Sequence, residues 1–154
     1  MADVTIKRTD IKDTDFLGLV KLLDADLAIR DGDEHAFYNQ FNALGVLLHA
    51  VVAYSEGKPI GCGGIKKYDS NTVEVKRMFT DPNHRGKGVG AQVLEALETL
   101  AIDEGYSRSI LETGIKQPEA IALYTKMGYH LIPNYDQYEG VVNSRCFQKN
   151  LSRT

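Results

Sequence analysis

Cysteine is scarce in this chain of 154 residues: Cys62 and Cys146 stand alone, with no second pair nearby. That argues against a disulfide framework or a cysteine-based zinc site and makes a reducing, cytoplasmic setting the expectation. No metal is expected. No apolar run is long enough to cross a bilayer as a helix; the longest, VLLHAVVAY at 46–54, has the length and β-branched content of a buried strand. The opening MADVTIKRTD lacks the apolar centre of a secretory signal. Eighteen basic against 21 acidic residues leave a net charge of −3 without a dense basic stripe. Neither nucleic acid nor an anionic membrane is therefore expected as a partner. Internal repeats, low-complexity tracts and linkers are missing too.

What remains is ordinary globular composition, 43% hydrophobic and 25% charged, in a chain long enough to bury a core as one domain, 1–154. VTIKR at 4–8 alternates and predicts a first strand. Asp13 or Thr14 can cap a helix to about Arg30, with Phe16, Leu19, Val20, Leu23 and Leu27 at helical spacing. Asp33 can cap a second, short helix to about Ala43. VLLHAVVAY, a SEGKP turn and IGCGGIKKY then predict a hairpin, followed by the alternating strand TVEVKRMFT at 72–80. Val89, Val93, Leu97 and Leu100 line one face of a helix that Gly105 ends. SRSILET predicts another strand, Pro118 opens a helix carrying Ile121, Tyr124 and Met127, and YHLI and RCFQKNL predict two final strands. The order β-α-α-β-β-β-α-β-α-β-β is a mixed α/β layer fold, antiparallel first and with late βα crossovers.

The chemistry concentrates in RMFTDPNHRGKGVGA. A helix that opens on glycines presents unpaired backbone N–H groups and partial positive charge, a natural seat for a diphosphate. Gly86, Gly88 and Gly90 allow close backbone approach, and Arg85 and Lys87 add charge. The same letters contain G-x-G-x-x-A, the dinucleotide fingerprint, with Glu112 where a ribose-binding acid could sit. Three features weigh against that reading: the preceding strand alternates, TDPNHR separates it from the glycines, and too little chain follows Gly90 for a doubly wound sheet. A Walker loop fails because G-K-[ST] is missing.

Arg85-Gly86-Lys87-Gly88-Val89-Gly90, an R-x-x-G-x-G preceded by EVKRMFTDP, resembles the acyl-CoA loop of the GNAT superfamily of N-acetyltransferases. QPEAIALYTKMGY at 117–129 resembles that family's later helix–strand signature, LY-x-K-x-G. The resemblance implies a GNAT-like α+β domain: a mixed, mostly antiparallel sheet of about seven strands with about four helices, splayed at the acyl-CoA site. It implies acetyl-CoA as cosubstrate, transfer of the acetyl group to a primary amine of a small molecule or peptide by direct attack in a ternary complex, and compatibility with a homodimer. A catalytically idle acyl-CoA sensor or regulatory module is the alternative.

Carried over residue by residue, the diphosphate would lie on Arg85, Gly86, Lys87, Gly88, Val89 and Gly90, with Ala91 next in the helix. The pantetheine arm would pair with Met78, Phe79 and Thr80 like an added strand. Met78 N–H would face the oxyanion, and Gln117 stands where an asparagine is usual. Tyr124 occupies the position of the acid beside the departing sulfur. Glu74 is the base candidate, on the same face as Met78 by period-two counting. Acceptor contacts are expected from Arg30, Tyr38, Arg77, Tyr135 and Tyr138; the arginines would suit a carboxylate, whereas Asp31, Asp33, Glu34 and Asp136 would suit a cation.

Overall fold

A computed structural model describes residues 3–34 and 44–152. Seven strands form one sheet: β1 (Val4–Thr9), β2 (Leu47–Ser55), β3 (Lys58–Lys67), β4 (Thr72–Thr80), β5 (Arg108–Gly114), β6 (His130–Ile132) and β7 (Ser144–Asn150), in the order β1-β2-β3-β4-β5-β7-β6. All neighbours are antiparallel except β4 and β5. Three α-helices lie among the described residues, α1 (Thr14–Asp31), α2 (Val89–Asp103) and α3 (Pro118–Lys126), against about four expected for this architecture. The expected helix from Asp33 falls mostly outside the described residues; Gly32–Glu34 form a single 3-10 turn. No helix among the described residues is long and apolar enough to cross a membrane.

Local chemistry sets these boundaries. Asp13 caps α1, its carboxylate accepting from the N–H groups of Asp15 and Phe16. The β2–β3 connection is tighter than expected: Ser55 pairs with Lys58 across Glu56 and Gly57, at φ 52° and 77°, a two-residue turn of the kind that matches strand twist. Alternation along the strands divides the core between two faces. Val51, Ala53, Ile65, Val73 and Val75 pack beneath α2 and α3. Ala50, Val52, Cys62 and Phe79 pack beneath Phe16, Leu19, Val20 and Leu23 of α1. Each large side chain buried this way contributes roughly 1.5–3 kcal/mol.

β4 and β5 decide where function sits. They pair in parallel only from Thr72 to Glu74 against Arg108 to Ile110. Beyond that β4 stays with β3 and β5 stays with β7, so the sheet splits. β4 also bulges: Cys62 faces Phe79 and Gly64 faces Lys76, which leaves Arg77 and Met78 opposite Gly63 alone. Arg77 takes φ 61° at that point. The bulge presses Met78 onto β3, and a Cβ on Gly63 would meet Met78 Sδ at 2.6 Å.

Candidate active site

Two cavities occupy the split. The first, about 340 Å³, runs along the end of β4, the glycine loop and the start of α2, with α3 as its far wall. Every residue expected to hold the cosubstrate lines it except Lys87, which is exposed. After Thr80, Asp81 caps a 3-10 turn, Pro82–His84, through Asn83 N–H. Gly86 and Gly88 then take φ 78° and 84°, torsions that glycine adopts without the penalty of a side chain. Gly88 is the N-cap of α2, and no side chain caps that helix. The amides of its first turn are thus left for a guest. Arg85 is partly committed within the protein. Its Nε donates to Thr80 O at 2.9 Å, its guanidinium lies 5.7 Å from the Phe79 ring centre, and Asp26 is 3.8 Å away.

The second cavity, about 90 Å³, lies deeper, between the β4 bulge, the end of β5 and α1. Leu23, Met78, Gln117 and Tyr124 line both cavities and mark their junction. Tyr124 is buried against Tyr129 and Phe147, with ring centres 6.0 and 6.4 Å away. Burial first, and the charge of Glu112 second, push its phenol above the ordinary tyrosine range. Gln117 precedes Pro118 and does not use its side chain to cap α3.

Glu112, near the end of β5, is the residue that sequence reasoning passed over. Its Oε2 is sealed from solvent and has no hydrogen-bond partner among the described residues. Burial pushes its carboxyl up to about 7, with the charges of Glu74 and Asp31 acting in the same direction. A hydrogen bond from Ser144 and the charge of Lys76 oppose the shift. The sequence did hold a signal, an acid beside the split at the end of a parallel strand, but it surfaced only as a ribose ligand for the rejected dinucleotide fold.

Glu74 is placed differently from the expectation. The Arg77 bulge shifts side-chain alternation by one residue. Val73, Val75 and Met78 therefore share the α2 face, and Glu74, between the two valines, points to the other. Its side chain is 2% exposed and lines neither cavity. Tyr135 O–H donates to its Oε2 at 2.5 Å, and Lys76 and Lys66 stand 3.7 and 3.8 Å away. Tyr135 packs edge-on to Tyr68 and Tyr138. Lys76 donates to Tyr138 O–H at 3.1 Å, and burial lowers its pKa.

Of the expected acceptor residues, Arg77 and Tyr138 line the inner cavity. Tyr135 lies behind it on Glu74. Arg30 is occupied elsewhere, bound to Asp26 and to Glu119 and so tying α1 to α3. Tyr38 lies outside the described residues. Cys146 is buried, with its thiol pushed up to about 11, chiefly by burial; it is protonated at neutral pH and unsuited to carry an acyl group.

Comparison with known proteins bears on the family and the fold. The model of the acetyltransferase (GNAT) family matches residues 17–129. The chain is 42% identical over 80 residues to an IAA acetyltransferase of Azospirillum brasilense, covering 51% of this chain and 52% of that protein. It spans about half the length of the curated relatives it matches. A solved Klebsiella pneumoniae structure, provisionally described as an acyl-CoA N-acyltransferase, superposes with TM-score 0.81 at 32% identity, covering 99% of this chain and 100% of that one. A GNAT family acetyltransferase from Elizabethkingia anophelis with acetyl-CoA bound shares the fold, with TM-score 0.70 at 18% identity over 96% and 98% of the two chains.

Proposed function

The chain belongs to the acetyltransferase (GNAT) family, and on that premise we propose that it transfers an acetyl group from acetyl-CoA to a primary amine by direct attack in a ternary complex. The observation that carries this reading is the junction at Met78 and Tyr124. An uncapped helix N-terminus opens on one side of it, and a buried carboxyl raised to about 7 stands on the other. The outer cleft fits the cosubstrate: the free amides of α2 and the left-handed Gly86 and Gly88 would hold the diphosphate. The β4 edge from Met78 to Thr80 would hold the pantetheine arm, with Gln117 opposite. Bound there, acetyl-CoA supplies the thioester carbonyl.

We assign the base role to Glu112 rather than Glu74. An amine is mostly protonated at neutral pH and cannot attack until it loses that proton. A carboxyl near 7 in the inner cavity can accept it, whereas Glu74 is enclosed by Tyr135 and two lysines. As the N–C bond forms and the C–S bond breaks, the sulfur takes the nitrogen's second proton and leaves as CoA thiol, steadied by a hydrogen bond from Tyr124. Full proton transfer from it would be uphill, because a thiol ordinarily titrates at about 8.5, well below this phenol. The Met78 N–H is assigned to the developing oxyanion. Two buried free thiols fit a cytoplasmic setting.

The test combines acetyl-CoA with a panel of amines, following melting temperature and release of CoA thiol. A rise in melting temperature together with thiol release by at least one amine is expected. A thermal shift without release by any amine would instead support the binding-only module. No shift at all would remove the acyl-CoA reading.

A further inference from the structure

The bulge in β4 gives the acceptor a chemical class. Arg77 is a non-glycine residue held in the left-handed region, with a side chain 3% exposed. Cys62 Sγ donates to its carbonyl oxygen at 3.5 Å, which helps hold the bulge. Its Nη2 donates to Asp24 at 2.5 Å, and that carboxylate is 44% exposed on α1. The other two guanidinium nitrogens, Nε and Nη1, are sealed from solvent and have no partner among the described residues. Strained backbone and unpaired buried donors both persist only where the surroundings impose them, and such features gather at binding sites. A guanidinium is also the side chain best shaped to take a second anion beside the first.

Charge in the inner cavity is sorted by wall. Lys76 and Arg77 stand on β4, while Glu112 on β5 and Asp31 at the end of α1 stand across from them. Lys76 is already engaged by Tyr138 and lies near Glu74, so Arg77 is the cation with donors to spare, and a carboxylate in the cavity that Arg77 lines meets them once the guanidinium turns toward it. A polyamine would bring its charges against both β4 cations. A molecule with one anionic and one cationic end suits both walls.

We propose that the acceptor is an amino acid with a free carboxylate, which binds at Arg77 and turns its amino group toward Glu112. This rests on the acyltransferase reading above. The experiment offers the wild-type protein amino acids and their carboxamides in matched pairs, with acetyl-CoA, and measures kcat/KM from CoA release. The carboxamide has the more easily deprotonated amine, so a preference for the acid must come from binding. The acid is expected to win by about ten- to a hundredfold, the size of a charge-assisted contact. Arg77→Gln should abolish that preference through KM of the acid, and Arg77→Lys should restore part of it. Wild-type protein that used carboxamides as well as acids would overturn the proposal and leave the acyltransferase reading intact. No thiol release with any amine would overturn both.

Discussion

The two cavities that meet at Met78 and Tyr124 are made from different materials. The outer cleft is founded on backbone, with left-handed glycines, an uncapped helix end and a free strand edge between Met78 and Ala91, and side chains of α3 and α1 close its far side. The inner cavity is side chains brought from α1, β4, β5 and the segment before β7, which are far apart in the chain. A site made of local backbone leaves a motif, because particular torsions demand glycine. A site of converging side chains leaves none, since any one of its residues would look ordinary by itself. The contrast also says where each cavity is vulnerable: the outer to changes of torsion, the inner to changes of charge.

The largest effect is expected at Glu112. Glu112→Gln should lower turnover by about 10²- to 10⁴-fold, the range for loss of a positioned general base, with acetyl-CoA affinity retained. In the wild type, activity should fall as pH drops through about 7, because the carboxyl must be ionised to accept a proton; the variant should lose that limb. Stability should move the other way. The folded-state pKa is raised above the unfolded value, so the folded protein holds this proton more tightly. Its contribution is fully present below the ordinary carboxylate range and is lost as pH rises to about 7. At pH 8 the variant, which never carries the buried charge, should be more stable by up to about 3 kcal/mol, and the gap should shrink at pH 5. Thermal melts at the two pH values check this. A variant less stable than wild type at pH 8 would make Glu112 a structural ion-pair partner instead.

Next is the backbone of the outer cleft. A Cβ at Gly88 would meet nothing within 4 Å, so space does not require glycine there; φ 84° does. Gly88→Val places a β-branched residue in the left-handed region at a cost of about 1–2 kcal/mol, relieved by turning the first amides of α2 away from the ligand. Calorimetric titration should then give an acetyl-CoA Kd raised about tenfold or more, with kcat at saturation little changed. Gly57→Val supplies the control, since Gly57 carries similar strain at φ 77° in the distant β2–β3 turn and should leave Kd alone. An unchanged Kd in Gly88→Val would mean that the diphosphate lies elsewhere.

The same contrast explains what could be read in advance. Strand and helix positions followed from alternation, capping residues and glycine stops, all of them local: TVEVKRMFT is β4, and Asp13 caps α1. The late βα crossover that sets β4 parallel to β5 was legible in the order of elements, whereas the split beyond that pairing came with the family resemblance and could not be had from periodicity. The bulge at Arg77 was invisible because it uses no glycine or asparagine. One extra residue reversed the alternation and separated Glu74 from Met78. Glu112 stood in plain view as an acid ending a strand. Its raised pKa comes from burial and from the fields of Glu74 and Asp31, which only the folded chain brings near.

The smallest effect on turnover is expected behind the inner cavity. Tyr135→Phe keeps the ring that packs edge-on against Tyr68 and Tyr138 and removes the hydroxyl that donates to Glu74. Lys76 and Lys66, at 3.7 and 3.8 Å, are too far to replace that hydrogen bond. A carboxylate with almost no solvent access would then be left under-satisfied, at a cost of about 2 kcal/mol, or roughly 4–8 °C in melting temperature for a chain of this size. Turnover at saturating substrate should stay within a few fold of wild type, because Glu74 lines neither cavity. A lower melting temperature with nearly normal turnover would make Tyr135 and Glu74 the support beneath the β4 wall that carries Arg77. A loss of turnover as large as that of Glu112→Gln would return the proton-accepting role to Glu74, and the inner cavity would have to be redrawn around it.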